Sequence, residues 1–122
     1  MTIAFWCVLL AGLMPYGVTG LSKIGARGYD NANPRGWLGQ QEGFRARANA
    51  AHLNSFEAFP LFAAAVIVAH LRAAPGETVD TLALAYLAMR CVYVALYVGN
   101  RPSLRSTAWF VCVVLACTIF VI

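Results

Sequence analysis

The sequence predicts an all-α membrane protein built as a bundle of four transmembrane helices. Two observations predict this fold. Of the 122 residues, 61% are hydrophobic and only 11% are charged, with a mean hydropathy of +0.67, whereas soluble domains carry about 25% charged residues. The hydrophobic residues also fall into four runs that are each long enough to cross a bilayer. We therefore expect a single membrane domain over residues 1–122, and the composition excludes a soluble globular fold.

The four apolar runs define the predicted helices. A hydrocarbon core of about 30 Å needs about 20 helical residues, with about 17 as the lower limit. Backbone groups in lipid must find their hydrogen bonds within the chain, and helices provide them. We expect helices at about residues 2–22, 48–72, 79–100 and 105–122. The first run lacks the basic n-region and the small-residue cleavage site of a signal peptide, so we expect a retained helix.

The basic residues indicate the orientation of the bundle. Seven of the eight that lie between predicted helices fall in the first and third connections. These seven are Lys23, Arg27, Arg35, Arg45, Arg47, Arg101 and Arg105. By the positive-inside rule, both connections should be cytoplasmic and both termini should lie on the opposite side. Because the basic residues gather between apolar runs, the net charge of +4 does not indicate a nucleic-acid partner.

Cysteine and histidine do not indicate a metal centre. All four cysteines lie inside apolar runs, where a thiol behaves as a small hydrophobe. The two histidines, His52 and His70, lie near opposite ends of one predicted helix. We therefore expect no metal site.

Two charged residues, Glu57 and Arg90, lie inside predicted membrane spans. Each is roughly 15 Å from the cytoplasmic end of its helix at about 1.5 Å per residue. A charge at this depth is costly unless it is paired or marks a site. The common depth predicts an ion pair between them, which would either lock the bundle or contact a ligand.

Polar side chains form one stripe on each of the second and third predicted helices, at about 100° of rotation per residue. The stripes contain Arg47, Asn54 and Glu57 on one helix and Tyr86, Arg90, Tyr93 and Tyr97 on the other. Arg105 opens the fourth helix at the same cytoplasmic edge. A cavity lined in this way suits a polar, anionic ligand with an amide backbone, and Arg105 would stabilise an anion or lower the pKa of a thiol.

Three motifs occur in order along the chain: N-x-x-E-x-x-P at Asn54–Pro60, R-x-x-Y-x-x-x-Y at Arg90–Tyr97 and L-R-S at Leu104–Ser106. This combination resembles the MAPEG superfamily, the membrane-associated proteins of eicosanoid and glutathione metabolism. The resemblance covers the second to fourth helices. The loop Asp30–Trp37 and the compact length are similar to prokaryotic members, which would place the protein in a bacterial inner membrane.

The resemblance implies a homotrimer that binds glutathione, as a co-substrate, between neighbouring protomers in the cytoplasmic half. It implies binding roles for Arg47, His52, Asn54, Glu57, Arg90, Tyr93 and Tyr97, and catalytic roles for Arg105 and Tyr93. Arg105 matches the arginine that stabilises the glutathione thiolate in the family. The chain departs from the family pattern at Ala50, where glutathione-using members commonly carry arginine, and at Ala58, where some carry tyrosine; Arg47 would substitute for the missing arginine.

Three functions are therefore open. The first is a glutathione-dependent transferase or peroxidase that acts on lipophilic electrophiles from the membrane, and the presence of Arg105 favours it. The second is a non-catalytic lipid-binding or scaffold protein of the same fold, which Ala50 favours. The third is a small four-helix multidrug transporter, but those transporters carry their essential carboxylate in the first helix, and here that helix has none.

Overall fold

A computed structural model describes all 122 residues, and its secondary structure is entirely helical. The five helices are α1 (Ile3–Lys23), α2 (Pro34–Gly39), α3 (Gly43–Leu71), α4 (Gly76–Val98) and α5 (Pro102–Val121). The four longer helices are each long and apolar enough to cross a membrane. The predicted integral, multi-pass helical membrane protein is thus confirmed, and α2 is an addition within the first connection.

Proline and glycine decide where the helices begin. Pro34 and Pro102 stand at the first helical positions of α2 and α5, where the missing N–H costs no hydrogen bond and the fixed φ suits the helix. The Asn33 side chain accepts a hydrogen bond from the Gly36 amide at 3.1 Å and caps α2. The helix α5 therefore begins at Pro102, before its apolar run, and α4 begins at Gly76, directly after Pro75.

One end of the bundle is closed by polar ties between helices. Asp80 of α4 accepts a hydrogen bond from the Ala4 amide at the start of α1, at 2.7 Å. Thr2 Oγ1 lies 3.0 Å from His70 Nε2. The Arg72 side chain donates to the carbonyls of Phe120 and Val121 at the end of α5, at 3.2 and 3.0 Å. These bonds satisfy helix-terminal groups that would otherwise have no partner.

Small side chains fill the bundle between these ties and the middle of the helices. The buried cluster here includes Ala4, Cys7, Ala11, Phe62, Ala65, Val66, Ala69, Val79, Ala83, Cys112, Ala116 and Ile119. Alanines at helix interfaces allow backbones to approach closely, which is the main source of packing energy between helices in lipid. We call this part of the bundle the closed half.

The opposite end carries the seven basic residues of the first and third predicted connections, four of which lie at the ends of α1, α3 and α5, and we call it the basic end. Here arginines bind the carbonyls that terminate α1 and α4. Arg45 donates to the carbonyls of Ser22 and Ile24 at 3.1 and 2.7 Å, and Arg47 Nε donates to the Val98 carbonyl at 3.0 Å. A cation at a helix C-terminus is favoured by the helix dipole.

Candidate functional site

A buried arginine joins α3 to α4 at the centre of the site. Arg90 is only 2% exposed. Its two terminal nitrogens each donate to Asn54 Oδ1 at 3.1 Å, and one also donates to Ser55 Oγ at 3.2 Å. Ser55 in turn donates to the Ala51 carbonyl at 2.8 Å. Neutral amide and hydroxyl groups therefore solvate the Arg90 charge.

The predicted Glu57–Arg90 ion pair is wrong. Glu57 is exposed on α3 and accepts a hydrogen bond from Asn54 Nδ2 at 3.3 Å. The Asn54 amide thus lies between the two charges, with its oxygen on Arg90 and its nitrogen on Glu57. The common depth of the two charges is consistent with this relay, but an amide that offers both a donor and an acceptor takes the place of direct contact.

Two arginines and two tyrosines form a continuous row from the bundle interior to the basic end, with the tyrosines in the middle. The Arg90 guanidinium lies over the Tyr93 ring and the Arg105 guanidinium lies over the Tyr97 ring, each at 4.3 Å from the centroid. The two rings meet edge to face at 5.7 Å. Such cation–π contacts contribute about 0.5–1 kcal/mol each when exposed and about 2 kcal/mol when desolvated. We call these four residues the cation–aromatic run.

Two cavities of about 240 Å³ each lie beside this run. The inner cavity is lined by Asn54, Glu57, Ala58, Leu61, Tyr86, Arg90, Trp109, Cys112, Val113 and Ala116. The rim cavity is lined by Tyr93, Tyr97, Arg105, Ser106 and Trp109. Trp109 belongs to both, so the cavities adjoin at its ring. A polar rim next to a mainly apolar interior suits a ligand pair in which one member is ionic and the other lipophilic.

The basic end of the site holds a cluster of cations. Arg47, Arg101 and Arg105 surround a small space of about 30 Å³ together with Tyr97 and Asn100. No carboxylate lines this space, so the cluster presents uncompensated positive charge to an incoming anion.

Comparison with known proteins gives the family. The model of the MAPEG family matches residues 3–122, which is nearly the whole chain. The chain belongs to the MAPEG family. Searches of curated proteins and of solved structures found no match to it. The resemblance in the motifs is thereby confirmed, and the match extends it to α1.

Most of the residues that the MAPEG resemblance predicts lie together. Asn54, Glu57 and Arg90 line the inner cavity, Tyr93, Tyr97 and Arg105 line the rim cavity, and Arg47 lies in the cation cluster. Whether they bind glutathione stays a prediction.

His52 does not lie with the other predicted site residues. Its Nδ1 lies 2.8 Å from the Pro15 carbonyl of α1, and its ring contacts Phe56 edge to face at 5.1 Å. Two residues along a helix correspond to a rotation of about 200°, so His52 points away from the face that carries Asn54. His52 therefore links α3 to α1 and has a structural role.

Sequence reasoning missed several lining residues, among them Trp109 and Cys112. Trp109 is four residues after Arg105 on α5, and Cys112 is one further turn along, so both share the Arg105 face. The spacing from Arg105 was the signal that could have found them. No group of three or more metal-ligating side chains lies together.

Proposed function

We propose that this MAPEG-family protein is a glutathione-dependent transferase or peroxidase that acts on lipophilic electrophiles from the bilayer. The observation that carries the proposal is the cation–aromatic run, Arg90–Tyr93–Tyr97–Arg105, which borders both cavities. The family includes non-catalytic members, so membership alone does not decide the activity. The side chains of this site support it.

The charges of the site suit the charges of glutathione, which carries one ammonium, two carboxylates and a thiol. In this proposal Glu57 binds the ammonium, since its exposed carboxylate holds only one hydrogen bond, from Asn54. Arg47 binds a carboxylate from the cation cluster, where its terminal nitrogens make no bond to the protein. Tyr93 and Tyr97 line the rim cavity, where their rings contact the peptide part.

Arg105 supplies the chemical function. The pKa of a free thiol is near about 8.5, and only the thiolate is nucleophilic; a nearby cation favours the thiolate. In a transfer, the thiolate sulfur bonds to the electrophilic carbon while the leaving group departs with the bonding electrons, and Tyr93 polarises that group. With a hydroperoxide, the thiolate sulfur bonds to the outer oxygen, the O–O bond breaks, and the alkoxide takes a proton and leaves as an alcohol. The glutathione sulfenic acid that forms then reacts with the thiol of a second glutathione to give the disulfide and water.

A homotrimer is part of this proposal. Glu57 is exposed on the surface of the single protomer although it lies inside a membrane span, and a carboxylate facing lipid is costly. A neighbouring copy that covers Glu57 would remove this cost and would complete the inner cavity. Chemical cross-linking of the protein in native membranes should give a trimer as the largest species.

The orientation is a further element of the proposal, because the site must face the compartment that contains glutathione. The basic end, with its seven Lys and Arg residues, should be cytoplasmic by the positive-inside rule. A reporter enzyme fused after Ile122 should read as outside the cytoplasm, and one fused after Gly39 should read as inside. The reverse pattern would place the site on the wrong face.

Calorimetric titration of the purified protein with glutathione tests the proposal. We expect saturable binding, weakened at least about tenfold, or about 1.4 kcal/mol, in Glu57→Gln, because the ammonium loses its only carboxylate. Glu77→Gln is the matched control, since Glu77 is an exposed carboxylate at the start of α4 in the closed half. Absence of binding by the wild-type protein would overturn the proposal.

A non-catalytic lipid-binding protein is the second candidate. The inner cavity favours it, because Ala58, Leu61, Val113 and Ala116 give that cavity a mainly apolar wall. Displacement of a fluorescent fatty acid separates the two candidates. A transferase should release the probe when its lipophilic substrate binds and should then consume glutathione, whereas a lipid-binding protein should release the probe with no loss of thiol.

A further inference from the structure

A long apolar groove runs between α1 and α4, on a different face of α4 from the proposed glutathione site. Its volume is about 740 Å³, three times that of either site cavity. Ten of its eleven lining residues are hydrophobic, and Gly17 is the exception. On α4 the groove is lined by Leu87, Cys91 and Val98 among others, whereas Arg90 and Tyr93 of the same helix line the site cavities.

The groove has the length of one membrane leaflet. It extends from Leu10 to Leu21 on α1 and from Leu87 to Val98 on α4, which is about 16 Å at about 1.5 Å per residue. Half of a hydrocarbon core of about 30 Å is about 15 Å. Beyond Leu10 the groove ends, because in the closed half α1 meets α4 through the Ala4–Asp80 hydrogen bond.

This shape favours a lipid chain over a helix from another copy. A transmembrane helix crosses both leaflets and would meet the closed half, where α1 and α4 leave no groove. An acyl chain begins at the headgroup level and ends near the middle of the bilayer, as the groove does. Gly17 deepens the groove at its middle, since a Cβ added at Gly17 would meet no atom within 4 Å.

A cation lies near the basic end of α1, just past the last groove residue of that helix. Leu21 is the last lining residue on α1, and Arg45 Nη1 binds the carbonyls of Ser22 and Ile24 just beyond it. The other nitrogens of Arg45 donate to no protein group. The basic end has seven basic residues against two acidic ones, Asp30 and Glu42, so an anionic headgroup meets little opposing negative charge.

We propose that this groove binds an anionic phospholipid from the leaflet at the basic end. One acyl chain lies between α1 and α4, and the phosphate is bound by Arg45. The acyl chain fills the space between α1 and α4 and thereby sets the distance between these two helices. The proposal is independent of glutathione binding, because α4 stands between the groove and the site.

Native mass spectrometry of the protein, extracted from vesicles of phosphatidylglycerol and phosphatidylcholine in equal amounts, tests the proposal. We expect retained phospholipid with phosphatidylglycerol in excess. Gly17→Leu should reduce total retention at least about tenfold, because the new side chain occupies the groove. Gly20→Leu is the matched control: it lies on the same helix, its Cβ also meets no atom within 4 Å, and it does not line the groove.

Two further variants complete the test. Arg45→Gln should keep total retention but abolish the excess of phosphatidylglycerol. Should Gly17→Leu fail to fold, Cys91→Phe fills the groove from α4, with Cys117→Phe as its control, since both cysteines are exposed and only Cys91 lines the groove. Retention equal in Gly17→Leu and Gly20→Leu would overturn the proposal. So would equal retention of the two lipids by the wild-type protein, or a change of oligomer size in Gly17→Leu alone, which would make a second copy the occupant.

Discussion

The closed half and the basic end are built from the same four long helices, yet they differ in how those helices meet. The closed half holds a cluster of 13 buried residues, many of them alanines, and its helix ends are tied by Asp80 and Arg72. The cluster nearer the basic end has only 5 members, Tyr93 among them. Small side chains bring helices together, whereas the larger polar and aromatic ones hold them apart and leave cavities.

This difference teaches that stability and ligand chemistry are separated along the bundle axis. No member of the alanine-rich cluster belongs to the cation–aromatic run or lines the rim cavity or the apolar groove, whereas the inner cavity borders the cluster through Tyr86, Cys112 and Ala116. Arg90 lies at the boundary between the two regions, where it binds Asn54 on α3. Substitutions in the closed half should therefore change stability, and those near the basic end should change binding.

The largest effect should come from Phe62→Ala in the closed half. Phe62 is fully buried and stacks on Tyr86 at 3.9 Å between centroids. Its truncation leaves a cavity and should lower the free energy of unfolding by about 3–5 kcal/mol, measured by titration with a denaturing detergent. The control Phe110→Ala removes a ring that is 61% exposed and should stay within about 0.5 kcal/mol of wild type. Equal losses would mean that the closed half is not the stabilising region.

The next largest loss of stability should come from Arg90 and Asn54, at the boundary between the closed half and the basic end. Arg90→Leu and Asn54→Ala should each lower the free energy of unfolding by roughly 1.5–3 kcal/mol, since hydrogen bonds to a charged group are lost. Because the two side chains contact each other, the double variant should lose less than the sum. Glu57→Gln combined with Arg90→Leu should be closer to additive, since Asn54 separates these residues. Strong coupling between Glu57 and Arg90 would instead indicate direct contact.

A smaller effect is expected from Arg105→Leu, and it should appear in the pKa of the bound glutathione thiol. If Arg105 stabilises the glutathione thiolate, the variant should raise the pKa of the bound thiol by at least about one unit, or about 1.4 kcal/mol, with little change in stability. The ultraviolet absorbance of the thiolate across pH, at saturating glutathione, measures this. Arg101→Leu is the control, because Arg101 lies in the same cation cluster but does not line the rim cavity. Identical titrations in all three proteins would assign Arg105 to membrane anchoring only.

The smallest effect should come from Tyr97. Tyr97→Leu removes the ring under Arg105 and should weaken glutathione binding by about two- to fivefold, which corresponds to about 0.5–1 kcal/mol. Tyr97→Phe keeps the ring and should bind nearly as well as wild type. A loss of equal size in both variants would show that the hydroxyl matters and that the cation–π contact does not.

Much of the site could be predicted because it depends on position along single helices. The spacing of Asn54 and Glu57 places both on one face of α3, and the spacing of Arg90, Tyr93 and Tyr97 does the same on α4. The same arithmetic shows that His52 faces away from Asn54, so its separation from the other site residues could have been foreseen. The partner of Arg90 could not, because equal depth in the membrane does not distinguish Glu57 from an intervening amide.

The sequence by itself determined the membrane class, the four long helices and the basic end, because apolar run length and the placement of Lys and Arg act through the bilayer and need no tertiary contact. Run length alone placed the start of the last helix at about residue 105 and gave no α2, whereas in the structure Pro34 and Pro102 open α2 and α5. Only the tertiary structure decided that Asn54 stands between Glu57 and Arg90, that Trp109 joins two cavities, and that α1 and α4 meet at Ala4 and separate toward Leu21. These features depend on how side-chain volumes and hydrogen bonds fit between helices that are distant in the chain, and no local pattern encodes that fit.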